Sequence, residues 1–216
     1  MNVIWQDITW DVARAGGFTS YILLTLAVFV GLALSTQVQS RTHWPRLINS
    51  ELHNFLTLLS TTFLGIHIAA VWVDPFTHFG WREILLPFAS HYRPLWMALG
   101  IIGLYLGLAI GLSTLLRPRI GYTWWKRLHV LTLAIFVLAG VHGIMTGSDT
   151  HVTWAMGIYV ASFLLVTPLL SRRILAGKKK SKRALKHRAT TTQDTPAMSQ
   201  QKERSLPTRG VAIHQP

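Results

Sequence analysis

Long apolar segments without a charged residue dominate the first four fifths of the chain. Together they make up 114 of the 216 residues, and they are 15–40, 52–73, 94–116, 128–148 and 150–171. Because a helix rises about 1.5 Å per residue and the hydrocarbon core of a bilayer is about 30 Å thick, each segment is long enough to cross a membrane. The pattern predicts an all-α integral membrane protein with five transmembrane helices. It excludes soluble enzymes, secreted domains and nucleic-acid-binding folds.

The same pattern divides the chain into an N-terminal segment 1–14, a transmembrane domain 15–171 and a tail 172–216. The tail contains 12 basic and 2 acidic residues and almost no apolar periodicity, which is typical of a disordered segment. Residues 1–13 contain no Lys or Arg and two Asp, the opposite of the basic start of a signal peptide. We therefore expect the first span to stay in the mature protein.

The distribution of basic residues predicts an orientation in the membrane. Segments on one side of the predicted spans hold 18 Lys and Arg, including those of the tail, whereas the other side holds only Arg14, Arg82 and Arg93. Basic residues accumulate on the cytoplasmic side of membrane proteins. The sequence thus predicts a multi-pass protein of the cell membrane, in contact with lipid, with segment 1–14 extracytoplasmic and the tail cytoplasmic.

Composition restricts which cofactors the chain can hold. It contains no Cys, which excludes disulfides, thiolate-bound iron-sulfur clusters and covalently attached haem. Six of the ten His lie in predicted loops, at span ends or in the tail, where a solvated side chain is expected. The other four lie inside two spans, as His53 and His67 in the second and His129 and His142 in the fourth. A polar ring at that depth is costly unless it faces the bundle interior and finds a partner, so these four are the candidate site.

Their spacing indicates two levels. His53 and His67 are 14 residues apart, which gives roughly 21 Å of rise and leaves the rings about 40° from a shared face. His129 and His142 are 13 apart, the same height within one residue, but a regular helix would place those rings about 140° apart. Gly140 and Gly143, which flank His142, would permit a local bend or overwinding.

Both spans run in the same direction, so His53 faces His129 at the inner level and His67 faces His142 at the outer level. Two His opposed across a bundle are the ligand set of a b-type haem, and iron with both axial positions filled is left with one-electron transfer. The sequence predicts a haem-binding bundle that holds two non-covalent haem b groups, with these four His as axial ligands. The predicted function is electron transfer across the bilayer.

Two other classes of protein place His inside a membrane. A proton or metal transporter usually pairs such His with Asp or Glu, and none of the 114 span residues is acidic. A purely structural membrane scaffold is the other alternative. A red colour of the purified protein would distinguish a two-haem protein from both.

The chain resembles the ferric reductase-like transmembrane family, which includes the membrane parts of NADPH oxidases, ferric-chelate reductases and the haem subunit of a methionine sulfoxide reductase system. The resemblance lies in the two His pairs 14 and 13 apart, in GYTWWKRLHVL from Gly121 to Leu131, and in Arg93-Pro94. It implies electron transfer from the cytoplasmic to the outer side. A quinol-oxidising cytochrome b subunit, which also has two His per helix about 14 apart, is the alternative.

The sequence departs from that family in two respects. Many members have a further helix ahead of the first span, and many continue into a flavin and nicotinamide domain, for which 45 tail residues are too short. We therefore expect this chain to be the haem component of an oxidoreductase, with a flavin on a separate cytosolic flavoprotein donor or, as the alternative, a quinol donor. A ferric chelate, oxygen or an extracytoplasmic oxidoreductase is the expected acceptor.

Weaker candidates surround the four His. Arg127 is a candidate for binding the propionates of the inner haem and Arg93 those of the outer haem, although both also fit the role of surface anchors. Phe136 could lie between the haems or pack in the core. Gly103, Gly107 and Gly111, four residues apart on one helix face, predict close helix contact within the bundle or between two copies.

Overall fold

The computed structural model describes residues 2–36, 46–75 and 77–177, and every regular element in those ranges is helical. Contacts group the chain into a compact unit, Met1–Leu170, and a second unit, Ser171–Pro216. The tail predicted to be disordered lies outside the described residues beyond Gly177.

Eight α-helices and one 3-10 turn follow one another in the described residues. They are α1 (Asn2–Thr36), α2 (Arg46–Val73), α3 (Trp81–Leu85), α4 (Pro94–Leu115), α5 (Arg117–Ile120), α6 (Tyr122–His129), α7 (Thr132–Thr146), the 3-10 turn (Ser148–His151) and α8 (Thr153–Gly177). Five segments are long and apolar enough to cross a membrane, and they are Ile8–Ser35, Ser50–Val73, Pro94–Leu115, Tyr122–Thr146 and Thr153–Gly177. The predicted number of spanning helices is confirmed on length and composition, and the chain is a multi-pass membrane protein on that evidence.

The first helix begins earlier than predicted. Residues 1–14 were expected to precede the first span, but α1 is continuous from Asn2. The prediction stopped at Ala15 because Asp11 and Arg14 are charged. In the structure these two side chains pair at 3.3 Å, and Arg14 Nε also donates to Asp149 Oδ2 at 2.8 Å. Because the charges are matched at the end of the bundle, they do not interrupt the helix.

Helices α1 and α2 run antiparallel, in a register that repeats every seven residues. The bonded pairs are Ala13 with His67, Ser20 with Ser60, and Ala27 with His53. The two serines bond reciprocally, since Ser20 Oγ donates to Ser60 O at 3.0 Å and Ser60 Oγ donates to Ser20 O at 2.9 Å. A seven-residue repeat keeps one seam of a helix facing its partner. It therefore holds His53 and His67, two repeats apart, on the same side of α2.

An aromatic core joins α1, α7 and α8. Tyr21 stacks on Phe136 with ring centroids 5.7 Å apart and contacts Tyr159 at 5.1 Å, while Phe136 meets Phe163 at 5.2 Å. Phe136 is 3% exposed. Phe136 therefore packs in this aromatic core, as one of its two interpretations predicted.

Helix α4 packs along α7, and α7 also contacts α1. A Cβ atom added at Gly103 or Gly107 would lie 3.9 Å from Leu138 or 4.0 Å from Ile135, which are ordinary contact distances within this helix pair. Gly103 and Gly107 therefore serve contact within the bundle, whereas Gly111 has open space beside it. Among the described helices, α2 and α7 do not form a closely packed pair. Helix α2 carries His53 and His67, α6 ends at His129, and α7 carries His142.

Candidate functional site

The two His of α2 are oriented by the backbone of α1. His53 Nδ1 donates to Ala27 O at 2.8 Å, and His67 Nδ1 donates to Ala13 O at 2.7 Å. A carbonyl oxygen only accepts, so Nδ1 must carry the proton in both rings. In a neutral imidazole the other nitrogen, Nε2, then has its lone pair available for a metal.

His142 on α7 has the same arrangement with α4. Its Nδ1 donates to Trp96 O at 2.9 Å, which again leaves Nε2 as the available ligand atom. The neighbouring Arg93 and Tyr92 also bind the end of α7, since the Arg93 guanidinium donates to Met145 O and the Tyr92 hydroxyl donates to Thr146 O at 3.3 Å. The start of α4 is thereby fixed to the end of α7 around His142.

A glycine makes room for each of these three rings. A Cβ atom on Gly17 would lie 3.1 Å from His67 Nδ1, and one on Gly31 would lie 3.1 Å from His53 Cε1. At Gly100 it would lie 2.8 Å from the His142 ring, closer than real Cβ contacts. Each glycine follows the accepting carbonyl by four residues, as Ala13 and Gly17, Ala27 and Gly31, and Trp96 and Gly100. Residues four apart share a helix face, so one face supplies both the acceptor and the space.

His129 has aromatic neighbours. Its ring stacks on Trp125 with centroids 4.9 Å apart and an interplanar angle of 25°. It meets His53 of α2 with centroids 6.0 Å apart and an angle of 70°. The structure therefore brings His53 and His129, on two different helices, into one pair.

His67 and His142 lie at the same end of the bundle, since Ala13, the acceptor for His67, precedes Arg14, which bonds Asp149 just beyond the end of α7. All four His residues are partly buried. We call His53 and His129 the inner pair and His67 and His142 the outer pair, following the orientation predicted from the charges. The structure brings the rings of the inner pair together and places the residues of the outer pair at the other end of the bundle.

The 13-residue spacing on the fourth span is accommodated between α6 and α7. The amides here bond three residues back, as Leu131 to Leu128 at 2.9 Å, Leu133 to Val130 at 3.1 Å and Ala134 to Leu131 at 2.9 Å. Such a 3-10 turn advances about 120° per residue instead of 100°, which removes part of the 140° offset. The overwinding lies here and not at Gly140 and Gly143, around which α7 is uninterrupted and whose close neighbours are the Tyr21 and Tyr159 hydroxyls.

The ring separation in the inner pair suits one metal ion. A ring nitrogen lies about 2 Å from a first-row metal and the ring centre about 1 Å further, so two imidazoles on opposite sides of one ion have centroids about 6 Å apart. The inner pair has 6.0 Å. No group of three or more His, Asp or Glu side chains suited to a metal occurs in the part of the chain that the structure describes. Two protein ligands suffice for a haem iron, because the porphyrin supplies the other four.

The two arginine candidates both lie at the ends of the bundle. Arg127 is exposed, stands over Trp124 at 5.0 Å, and lines a cavity of about 430 Å³ together with Lys126 and Tyr122. Arg93 has a left-handed backbone conformation, with φ of 44°, at the start of α4. Its guanidinium donates to Met145 O, and Met145 is three residues after His142 in the sequence. A propionate role for either arginine stays a prediction.

Sequence reasoning missed the glycines and the carbonyl acceptors. A signal was present, because the two Ala-x-x-x-Gly motifs of α1, from Ala13 and from Ala27, are 14 residues apart, the same spacing as His53 and His67. Equal spacing on neighbouring antiparallel helices indicates paired contacts. The glycines that sequence reasoning named for helix contact, Gly103, Gly107 and Gly111, do not touch the His rings.

Comparisons with protein-family models, with curated proteins and with solved structures found no match to this chain.

Proposed function

We propose that the protein is a b-type cytochrome of the cell membrane that carries electrons across the bilayer through two bis-His haems. The observation that carries this proposal is the inner pair, in which two rings from different helices stand with centroids 6.0 Å apart. His67, two heptads away on α2, and His142 are the second ligand pair of this proposal. Bound haem with both axial positions filled supplies one-electron transfer and leaves no open site for substrate at the iron.

The residues fit this cofactor in two ways. The backbone bonds of His53, His67 and His142 hold Nδ1 as the donor and direct Nε2 away from the carbonyl, as ligand imidazoles require. The apolar composition of the spans excludes water, which stabilises a hydrophobic macrocycle there.

The two levels of His pairs suit the transfer of electrons across a membrane. Fourteen residues of helix separate the levels by roughly 21 Å, a large part of the roughly 30 Å hydrocarbon core. We propose that electrons enter at the inner pair from a cytosolic flavoprotein and leave at the outer pair to an extracytoplasmic acceptor. This direction rests on the distribution of basic residues, with 18 on the side of the tail.

The resemblance to the ferric reductase-like transmembrane family supports the same function. GYTWWKRLHVL forms α6 and its continuation at the inner pair, and Arg93-Pro94 begins the helix whose Trp96 carbonyl accepts from His142 of the outer pair. We propose on this basis that the chain is the haem component of a larger oxidoreductase.

Haem content is the direct test. Pyridine haemochrome analysis of the purified chain, normalised to protein concentration, should give close to two haems b per chain. The variant in which His53, His67, His129 and His142 are all replaced by Leu should contain none. A matched control replaces His78, His91 and His151, three exposed His of the connecting segments, and should keep both haems. A colourless wild-type protein contradicts the proposal.

The donor is tested with the same preparation. Purified protein should stay oxidised with NADPH alone and become reduced when a cytosolic flavin reductase and NADPH are added together. Reduction by quinol in the absence of the flavoprotein would instead favour the quinol-oxidising alternative.

A further inference from the structure

The neighbours of His129 form an ordered stack that begins at the surface of the protein. Trp125 lies face to face with His129, at 4.9 Å and 25°. The guanidinium of Arg117 stands over the Trp125 ring, 4.5 Å from its centroid, a cation–π distance. Arg117, Trp125, His129 and His53 thus follow one another from the helix ends to the inner pair.

A hydrogen bond fixes the indole in this stack. Trp125 Nε1 donates to Thr114 Oγ1 at 3.2 Å, which joins α6 to the end of α4. The indole plane is therefore determined by a bond at its edge and by a cation on its face. Since His129 lies nearly parallel to that plane, the orientation of the indole restricts rotation of the imidazole about its own side-chain axis.

Building on the proposed function, we propose that Trp125 is the positioning residue of the inner pair, and that it fixes the plane of the His129 ring relative to His53. The relevant angle is the 70° between the two His rings. The angle between two axial imidazoles sets the anisotropy of the paramagnetic resonance signal of a ferric haem. Trp125 would thus influence the electronic state of the inner site without touching the iron.

The chain offers a matched control in the next residue. Trp124 lies on the same helix, is 61% exposed, and stands under Arg127 with a guanidinium-to-centroid distance of 5.0 Å. Its substitution removes the same side chain and the same kind of cation–π contact. It leaves the face of His129 untouched.

The first measurement does not need haem. In the full-length chain carrying ring-¹³C histidine and kept reduced, the His129 resonance is identified by its loss in His129→Gln. Trp125→Leu should shift this resonance by more than its linewidth, because the ring current of the indole is removed. Trp125→Phe, which keeps an aromatic face, should shift it less, and Trp124→Leu should leave it unchanged.

The second measurement uses the oxidised protein. Trp125→Leu should move the largest g value of one of two low-spin ferric signals, and Trp124→Leu should move neither. If the wild type contains no haem, the proposed function fails, while the resonance of His129 still decides whether Trp125 contacts the His129 ring, which the positioning role requires. An unmoved His129 resonance in Trp125→Leu, or an equal shift in Trp124→Leu, overturns the positioning role. If Trp125→Leu does not fold, Thr114→Val tests the same point by releasing the indole, and an unchanged resonance there is equally contrary.

Discussion

The inner and outer pairs differ in what holds their rings. Both rings of the outer pair donate to backbone carbonyls, of Ala13 and Trp96, and rest against Gly17 and Gly100. In the inner pair His53 has this arrangement, and His129 stacks on the aromatic face of Trp125 in its own span. A helix backbone moves less than a side chain. The geometry of the outer pair is therefore set by helix packing, whereas that of the inner pair depends also on a side chain that a substitution can change.

The surroundings of the two pairs differ in the same way. Near the outer pair, polar groups of different segments join directly, as Arg14 with Asp149 and Thr9 with Asp74 at 2.7 Å. Near the inner pair, cations lie over aromatic rings of the same segment, Arg117 over Trp125 and Lys126 over Tyr122. The sequence from Ile84 to Ser148 contains no acidic residue, so these cations have no carboxylate nearby in sequence. We infer that the outer end is fixed and the inner end is adjustable.

Replacing a ligand in each pair should have the largest effect. His67→Leu should lose one of two haems and abolish electron delivery to an impermeant acceptor outside, while the remaining haem is still reduced by the cytosolic donor. His53→Leu should lose the other and block reduction from inside, while an impermeant reductant outside still reduces what remains. Haem content and reduction in oriented vesicles measure both.

A retained single-haem spectrum shows that each variant has folded. If His67→Leu instead blocks reduction by the cytosolic donor and His53→Leu blocks reduction from outside, the predicted orientation is inverted. The names of the two pairs must then be exchanged, although the comparison between them stands.

A single methyl group at Gly100 should damage only the outer pair. The new Cβ atom would lie 2.8 Å from the His142 ring, and the ring cannot retreat without breaking its bond to Trp96 O. We expect Gly100→Ala to contain about one haem instead of two, with the inner pair intact. Gly111→Ala on the same helix is the control, because it has open space and gains up to about 1 kcal/mol of helix propensity. Equal haem content in the two variants would be contrary to the role of Gly100.

The spans and the four His could be predicted because both depend on local sequence. Charge-free segments long enough to cross a bilayer are visible without any tertiary contact, and a His inside one is conspicuous. The early start of α1 could not be predicted, because the charge of Arg14 is matched by Asp149, which is 135 residues away. Pairings of that kind depend on the assembled bundle.

The carbonyl acceptors and the 3-10 hydrogen bonds between α6 and α7 could not be predicted from the sequence, for different reasons. Every residue has a carbonyl, so nothing in the identities of Ala13 or Trp96 marks them as acceptors for His. The turn after His129 contains Val130 and Leu131, which are ordinary span residues without a glycine or proline to signal overwinding. Gly140 and Gly143 were the residues that would permit a bend or overwinding, and in the structure they make room for tyrosines instead.

The reciprocal serine pair should affect both levels equally. Ser20 and Ser60 lie midway between the contacts of α1 with His53 and with His67, so they set one register for both pairs. An interhelical bond of this kind contributes about 0.6 kcal/mol in membrane proteins. Ser60→Ala should lower the unfolding free energy by about that amount in a denaturation series, and Ser20→Ala should add a similar loss, because each hydroxyl donates to a backbone carbonyl that the other substitution leaves in place. Ser113→Ala is the control, because Ser113 is equally buried but bonds within its own helix. Losses no larger than that of Ser113→Ala would show that the serine pair does not hold the two helices together.

The smallest effect is expected from the ion pair between Arg14 and Asp149, which joins the first half of α1 to the 3-10 turn before α8. The side chains are 34% and 14% exposed, so solvent screens the attraction, and a pair of this kind contributes at most about 1 kcal/mol. Arg14→Gln should lower stability slightly and disturb the outer pair, because Arg14 follows Ala13, the acceptor for His67. A double-mutant cycle with Asp149→Asn isolates the pairwise energy, and added salt should reduce it in the wild type.

Arg82→Gln, at an exposed site on α3, controls for loss of charge. If Arg14→Gln perturbs the spectrum of the inner pair as much as that of the outer pair, the end of the bundle is not the local clamp that we describe, and the contrast between a fixed and an adjustable level must be abandoned.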